Sequence, residues 1–228
     1  AKYFALHKQD SINEQINTAF RYAKENKIPV VIGAPFDIQK RSYPDQTYKN
    51  PQLEVTSPII KTPIDPNIMK AASSLITASK YPIVVAGLGV VAAGAKDACV
   101  ALAEKSGALL ATTLPAKGLF YDQPYNLGVA GGYSTEKSKA IFAQSDLVIG
   151  IGARLASHTF DSGQLTPNTK VIHLDISPQT FVQGRHAADL LISADAKYGT
   201  LTLLAELQKK TGWRTKQMRQ ITSDTLTL

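Results

Sequence analysis

Apolar residues along this chain occur first at helical spacing and then as short continuous runs. Ile12, Ile16, Ala19, Phe20 and Ala23 recur every three or four positions. They predict a helix over 11–26, capped by Asp10 or Ser11, with Glu14 three residues after Ser11. A short β-branched run over 28–32 follows and ends at Gly33-Ala34-Pro35, which predicts a strand. One helix and one strand cannot bury a core alone, so residues 1–40 need neighbours. Residues 40–66 are polar and carry Pro44, Pro51, Pro58, Pro63 and Pro66, the texture of an extended linker.

From Ile64 the pattern tightens. Asp65-Pro66 starts a predicted helix whose apolar face is Ile68, Ala71, Ala72, Leu75 and Ile76. Strands are predicted over 83–86, 109–113, 147–151, 171–176 and 190–193. Helices are predicted over 95–106 (ended by Gly107), up to 144, and over 197–210. These strands are continuous apolar runs rather than alternating ones, so both faces of the sheet must be covered. The expected fold class is therefore α/β, a Rossmann-like parallel sheet of about six strands flanked by helices, with an N-terminal helix-strand piece. Residues 211–228 are polar, with Trp213 and Met218 as their main core candidates, and read as a connection between domains.

Composition narrows the function classes. Of 228 residues, 44% are hydrophobic and 19% charged, which supports a packed core. The single Cys99 excludes an intrachain disulfide framework and any multi-thiolate metal site. It sits among Ala98, Val100 and Ala101, the setting of a buried, inert thiol. The apolar runs are too short to span a bilayer, and no cationic leader with an apolar run opens the chain. A reducing, cytoplasmic compartment is the expectation. The chain opens on Ala1, which suggests processing or trimming. Net charge is +7, but the cations are scattered and aromatics are 7%, so no nucleic-acid partner is expected. The densest basic stretch, Lys209, Lys210, Arg214, Lys216 and Arg219, reads as a solvated face.

The candidate chemistry lies at the ends of the predicted strands. Gly87 and Gly89, with Gly94 beyond, are spaced for a tight turn that lets backbone approach a pyrophosphate. A plain strand-to-helix turn explains them equally. Thr113 and Gly118 flank a loop with Lys117, which either neutralises a phosphate or is solvated. Gly131 and Gly132 form a second anion nest or an ordinary turn. Arg154 clamps a phosphate or pairs with Asp161 or Asp175. Asp175 accepts a ribose hydroxyl or caps the segment at Ser177-Pro178. His173 is read as a packed strand residue. His7, His158 and His186 do not cluster in sequence, and there is no catalytic-serine elbow, so no catalytic or metal residues are assigned.

Five segments in order carry a family resemblance: 82–90 (PIVVAGLGV), 106–113 (SGALLATT), 125–132 (YNLGVAGG), 145–154 (SDLVIGIGAR) and 170–176 (KVIHLDI). Together they resemble the central domain of thiamine diphosphate-dependent enzymes of the acetolactate synthase, benzoylformate decarboxylase and pyruvate oxidase type. Residues 29–39 (PVVIGAPFDIQ) resemble the end of the pyrimidine-binding domain that precedes it. The resemblance implies four parts: 1–40, a remnant of the pyrimidine-binding domain; 41–62, a linker; 63–210, the central domain; and 211–228, a linker toward a diphosphate-binding domain. It also implies a parent enzyme, a decarboxylase, carboligase or lyase acting on a 2-oxo acid, that holds thiamine diphosphate and Mg2+ between the domains of a homodimer or homotetramer. The activating glutamate, the G-D-G motif and the paired asparagines of that family are not in this sequence. The chain is therefore expected to act as a scaffold and oligomer contact, inactive alone.

Some relatives hold FAD or ADP in the central domain. Gly87, Gly89, Thr113, Gly118 and Asp175 fall on their nucleotide-contacting positions. Ala130 stands where acetolactate synthases carry a histidine, and Leu155-Ala156-Ser157-His158 replaces their acidic pair and second arginine. These departures argue against a nucleotide here. The rival readings are a free-standing nucleotide-binding protein and a non-catalytic partner subunit.

Overall fold

The computed structural model of the chain describes residues 1–7, 11–26, 28–41 and 63–226. The chain divides into two compact units, one over 1–60 and one over 61–228. The predicted cap Asp10 and the predicted linker 41–62 lie, but for Arg41, outside the described residues.

In the first unit β1 (Lys2–Ala5) pairs in parallel with β2 (Val30–Gly33), joined by helix α1 (Ile12–Asn26) and followed by the short α2 (Phe36–Gln39). The neighbour that the predicted strand required is thus the chain's own first residues, Lys2 against Val30 and Ala5 against Gly33. Four residues at a chain start leave too short a pattern to read as a strand. Leu6, Ala19 and Ile38 are buried in this unit, while Tyr3, Val31 and Phe36 are exposed.

The second unit is built on a six-stranded, all-parallel sheet. Its strands are β3 (Pro82–Ala86), β4 (Leu109–Thr112), β5 (Asn126–Val129), β6 (Leu147–Ile151), β7 (Lys170–Asp175) and β10 (Leu190–Ser193). Their spatial order is β10-β7-β6-β3-β4-β5. Counted within this unit the order is 3-2-1-4-5-6, that of a doubly wound nucleotide-fold sheet, and the winding reverses between β3 and β6. A two-stranded hairpin, β8 (Phe181–Val182) with β9 (Arg185–His186), stands apart from the sheet.

Both faces of the sheet are covered, as the continuous runs require. Val84, Ala86, Ile149, Ile151, Ile172 and Leu174 meet Met69, Ala72 and Ile76 of α3 (Pro66–Ala78), Cys99 and Leu102 of α5 (Lys96–Ser106), and Leu203 of α7 (Ala196–Ala205). The alternate residues Ile83, Val85, Val148 and Val171 meet Ile141 and Phe142 of α6 (Glu136–Phe142) and Trp213 on the other side. Burial pushes the Cys99 thiol up to about 12, which makes it a packing residue.

Helix ends follow local chemistry. Asp65 caps α3 by accepting from Asn67 N–H at 2.8 Å. Gly107 ends α5 in the left-handed region at φ 67°. Several expectations shift. Ala71 is exposed and Met69 is buried in its place. Helix α7 ends at Ala205, not 210. A separate turn of helix, α4 (Leu88–Ala92), precedes α5. Strand β5 was not legible, because Asn126 and Gly128 are poor strand formers and its pairing with β4 shifts register.

The largest difference is in residues 211–226. They form a helix, α8 (Lys216–Leu226), that lies against β5, with Met218 and Ile221 packed on the core. Trp213 is buried and stacks on Tyr81 at 4.7 Å. The basic stretch is not simply a solvated face. Lys210 Nζ donates to the carbonyls of Ile76, Thr77 and Ser79 at the C-terminus of α3. Arg214 Nε donates to the Ala108 carbonyl at 2.9 Å, and its guanidinium lies 4.7 Å from the Tyr125 ring. Long cationic side chains bury their stems and spend their donors on free carbonyls, which composition cannot reveal.

Asp146 ties α3, β3 and β6 together. Its carboxylate accepts from Ser79 Oγ at 2.5 Å, Lys80 N–H at 2.7 Å and Tyr81 N–H at 2.9 Å. Burial alone pushes its pKa up, but these three donors outweigh burial and hold it below the ordinary 3.8. A depressed native pKa means the stabilisation is present above about pH 4 and is lost as pH falls through the native value. Asp146→Asn is expected to cost about 1 kcal/mol at pH 7, allowing for partial exposure. Urea midpoints at pH 7 and pH 3 check this: the gap between variant and parent should narrow at the lower pH, and an unchanged gap contradicts it.

Candidate functional site

The sheet reversal places the turns after β3 and β6 side by side. Gly87 N–H donates to the Ile151 carbonyl and Gly89 N–H to the Gly152 carbonyl, both at 2.9 Å. A Cβ on Gly87 would lie 2.2 Å from the Gly152 oxygen, and one on Gly89 2.7 Å from Gly152 Cα. Gly152 itself has φ +54°. All three glycines are therefore required by backbone-to-backbone contact. The amides of Gly87 and Gly89 are already spent on protein carbonyls.

A cavity of about 600 Å³ opens at the C-terminal ends of the strands, where open α/β sheets hold ligands. Of the sequence-assigned residues, Thr113, Arg154 and Asp175 line it. Thr113 is buried, with its N–H on the Ala86 carbonyl at 2.9 Å. Asp175 Oδ1 accepts from Ser177 N–H at 3.0 Å, forming a turn rather than a helix cap. Arg154 is exposed and pairs with neither Asp161 nor Asp175. Next to it, Leu155 holds a left-handed backbone at φ 47°, a strained state for a non-glycine. That conformation seats the buried Leu155 side chain over Gly150, whose missing Cβ leaves the room.

Gly87, Gly89, Gly118, Gly131, Gly132 and Lys117 are not among the lining residues. Gly131 stands at φ +97° with its Cα facing the His158 carbonyl, where a Cβ would fall 1.7 Å from the oxygen. Gly132 N–H donates to that same carbonyl at 3.3 Å. Gly118 has φ +89° and open space around it.

Sequence reasoning did not assign Leu88, Leu114, Tyr133, His158 and His173 to this cavity, yet all five line it. For Leu88 and Leu114 the available signal was position, since each sits just beyond a strand end. His173 is indeed packed in its strand, 2% exposed, and its Nδ1 accepts from Gln179 N–H at 3.2 Å.

Residues 69–207 match the model of the thiamine pyrophosphate enzyme central domain. The chain belongs to this family. As a central domain it is 34% identical over 209 residues to a probable acetolactate synthase large subunit of Methanocaldococcus jannaschii, covering 90% of this chain and 35% of the relative. It is 31% identical over 212 residues to the acetolactate synthase large subunit of Mycobacterium tuberculosis, covering 90% and 33%. The crystal structure of benzoylformate decarboxylase from Polynucleobacter necessarius shares the fold, with TM-score 0.62, 18% identity and coverage of 91% of this chain and 39% of that one. The chain spans about a third of the length of the curated relatives it matches.

The residues described here do not fit a magnesium-diphosphate site: among them no group of three or more His, Cys, Asp or Glu is placed to hold a metal ion. On the glycine turns the amides of Gly87, Gly89 and Gly132 are engaged by protein carbonyls and are not free for a pyrophosphate. No described helix of the central domain or its flanks is long and apolar enough to cross a membrane.

The glycines separate two kinds of constraint. Gly87→Ala must displace backbone and is expected to cost at least about 2 kcal/mol. Gly118→Ala meets only the left-handed penalty of about 1 kcal/mol. Chemical denaturation of both variants tests this, and equal losses would remove the backbone-contact argument.

Proposed function

We propose that this chain is the central scaffold of a thiamine diphosphate-dependent enzyme of the acetolactate synthase type. The observation that carries the reading is the reach of the similarity. Identity to acetolactate synthase large subunits extends over 90% of the chain, well beyond the 69–207 match. Under this reading residues 1–40 are the tail of a pyrimidine-binding domain, 63–210 are the central domain proper, and 211–228 lead toward a diphosphate-binding domain.

The parent would decarboxylate a 2-oxo acid and join the product to a second carbonyl compound. Thiamine diphosphate, held through Mg2+ by the other domains, supplies carbanion stabilisation there. The chain's own contribution is spacing: a six-stranded sheet covered on both faces is a rigid body that fixes the separation of what is attached to its ends. The parent is read as a cytoplasmic homodimer or homotetramer, with this domain contributing to subunit contacts.

An immunoblot of source cells with antibody raised against this chain tests the proposal. The expected band is at about three times 24.6 kDa, from the share of the relatives that the chain covers. A band at 24.6 kDa would overturn it and favour a free-standing binding protein or a separate partner subunit. Purified chain supplied with thiamine diphosphate, Mg2+ and pyruvate is expected to form no acetolactate; turnover by the chain alone would overturn the scaffold role.

A further inference from the structure

The cavity at the sheet reversal has a composition that the scaffold role leaves unused. Three large apolar side chains around it are substantially exposed: Leu88 at 57%, Leu114 at 47% and Tyr133 at 68%. Exposed apolar residues gathered at one concave site mark a binding surface rather than chance. The same wall carries one guanidinium and one carboxylate, Arg154 and Asp175, and neither is in an ion pair among the described residues.

A further polar atom in this wall lacks a partner. His173 is buried, with Nδ1 3.2 Å from the Gln179 amide nitrogen and 3.4 Å from the Gln179 carbonyl oxygen, and its Nε2 has no hydrogen-bond partner among the described residues. A buried polar ring atom without a partner calls for an explanation, and a polar group of a ligand is one.

These features select among ligand classes. A dinucleotide or nucleoside diphosphate needs free amides and an excess of positive charge. Here the amides of Gly87, Gly89 and Gly132 are engaged, and the wall carries Asp175 as well as Arg154. A simple hydrocarbon would leave both charges unused. A ligand with one positive group, one negative group and an apolar body matches Arg154, Asp175 and the exposed apolar side chains.

We propose that this cavity binds a zwitterionic α-amino acid with a large apolar side chain. Arg154 takes the carboxylate. Asp175 takes the ammonium group through the oxygen not held by Ser177. The side chain covers Leu88, Leu114 and Tyr133. A volume of about 600 Å³ admits a leucine or phenylalanine with room to spare.

Titration calorimetry on the full chain tests this, with L-phenylalanine and L-leucine as probes and phenylacetate, phenethylamine and ADP as comparisons. Saturable binding of at least one amino acid is expected. Phenylacetate and phenethylamine, each lacking one charge, should bind at least about tenfold more weakly than phenylalanine. Arg154→Gln and Asp175→Asn should each weaken amino-acid binding by about tenfold or more. Asn at 175 retains an acceptor for Ser177 N–H, so the turn is kept. Absence of heat with both amino acids at up to about 10 mM overturns the proposal. So does phenylacetate or phenethylamine binding as well as phenylalanine, or ADP binding more tightly than either amino acid. The ligand series on the unaltered chain decides the matter even if a variant misfolds. Because no thiamine diphosphate is used, failure here leaves the family reading of the parent intact.

Discussion

Two strand-end turns approach each other so closely in this protein that only glycine fits, and much else follows from that contact. Gly87 and Gly89 after β3 meet Gly152 after β6, with the amides of one turn donating to Ile151 and Gly152 at the other. The contact locks the two central strands at the point where the winding reverses. The Gly87 and Gly89 donors are spent on protein carbonyls, and Thr113, Arg154, His173 and Asp175 are among the polar residues that line the neighbouring cavity.

Away from that contact, the unit is held by the alternation of strand side chains between two cores. Val84 and Ala86 serve one face while Ile83 and Val85 serve the other. The C-terminal segment completes the second face. Trp213, Met218 and Ile221 cover it, and Arg214 closes over Tyr125 while holding the Ala108 carbonyl. Lys210 does similar work at the end of α3. Two cations of the basic stretch are therefore structural fasteners, which removes them from any argument about charged partners.

Membership of the thiamine pyrophosphate enzyme central-domain family gives this architecture a purpose. A domain that sets distances must be stiff, and a parallel sheet buried on both faces is stiff because every strand is packed from two sides. Among the described residues no group of three or more His, Cys, Asp or Glu is placed to hold a metal ion. The strained Leu155 adjoins the cavity, and His173, whose Nε2 has no partner among the described residues, lines it.

The sequence by itself determined the fold class, the strand cores and the family. Continuous apolar runs such as 147–151, and five ordered segments around them, are local features that survive without knowledge of partners. It also pointed to strand ends as the places for polar chemistry, and Thr113, Arg154 and Asp175 do meet there. Tertiary structure alone decided which glycines serve packing and which serve a turn, because a backbone contact between residues 87 and 152 leaves no trace in spacing. It alone revealed β1 and β5, whose short runs acquire strand form only through the ladders they join. And it alone turned polar residues 211–226 into a covering segment, since the apolar stems of lysine and arginine and the far-spaced Trp213, Met218 and Ile221 become a core face only when folded against β5.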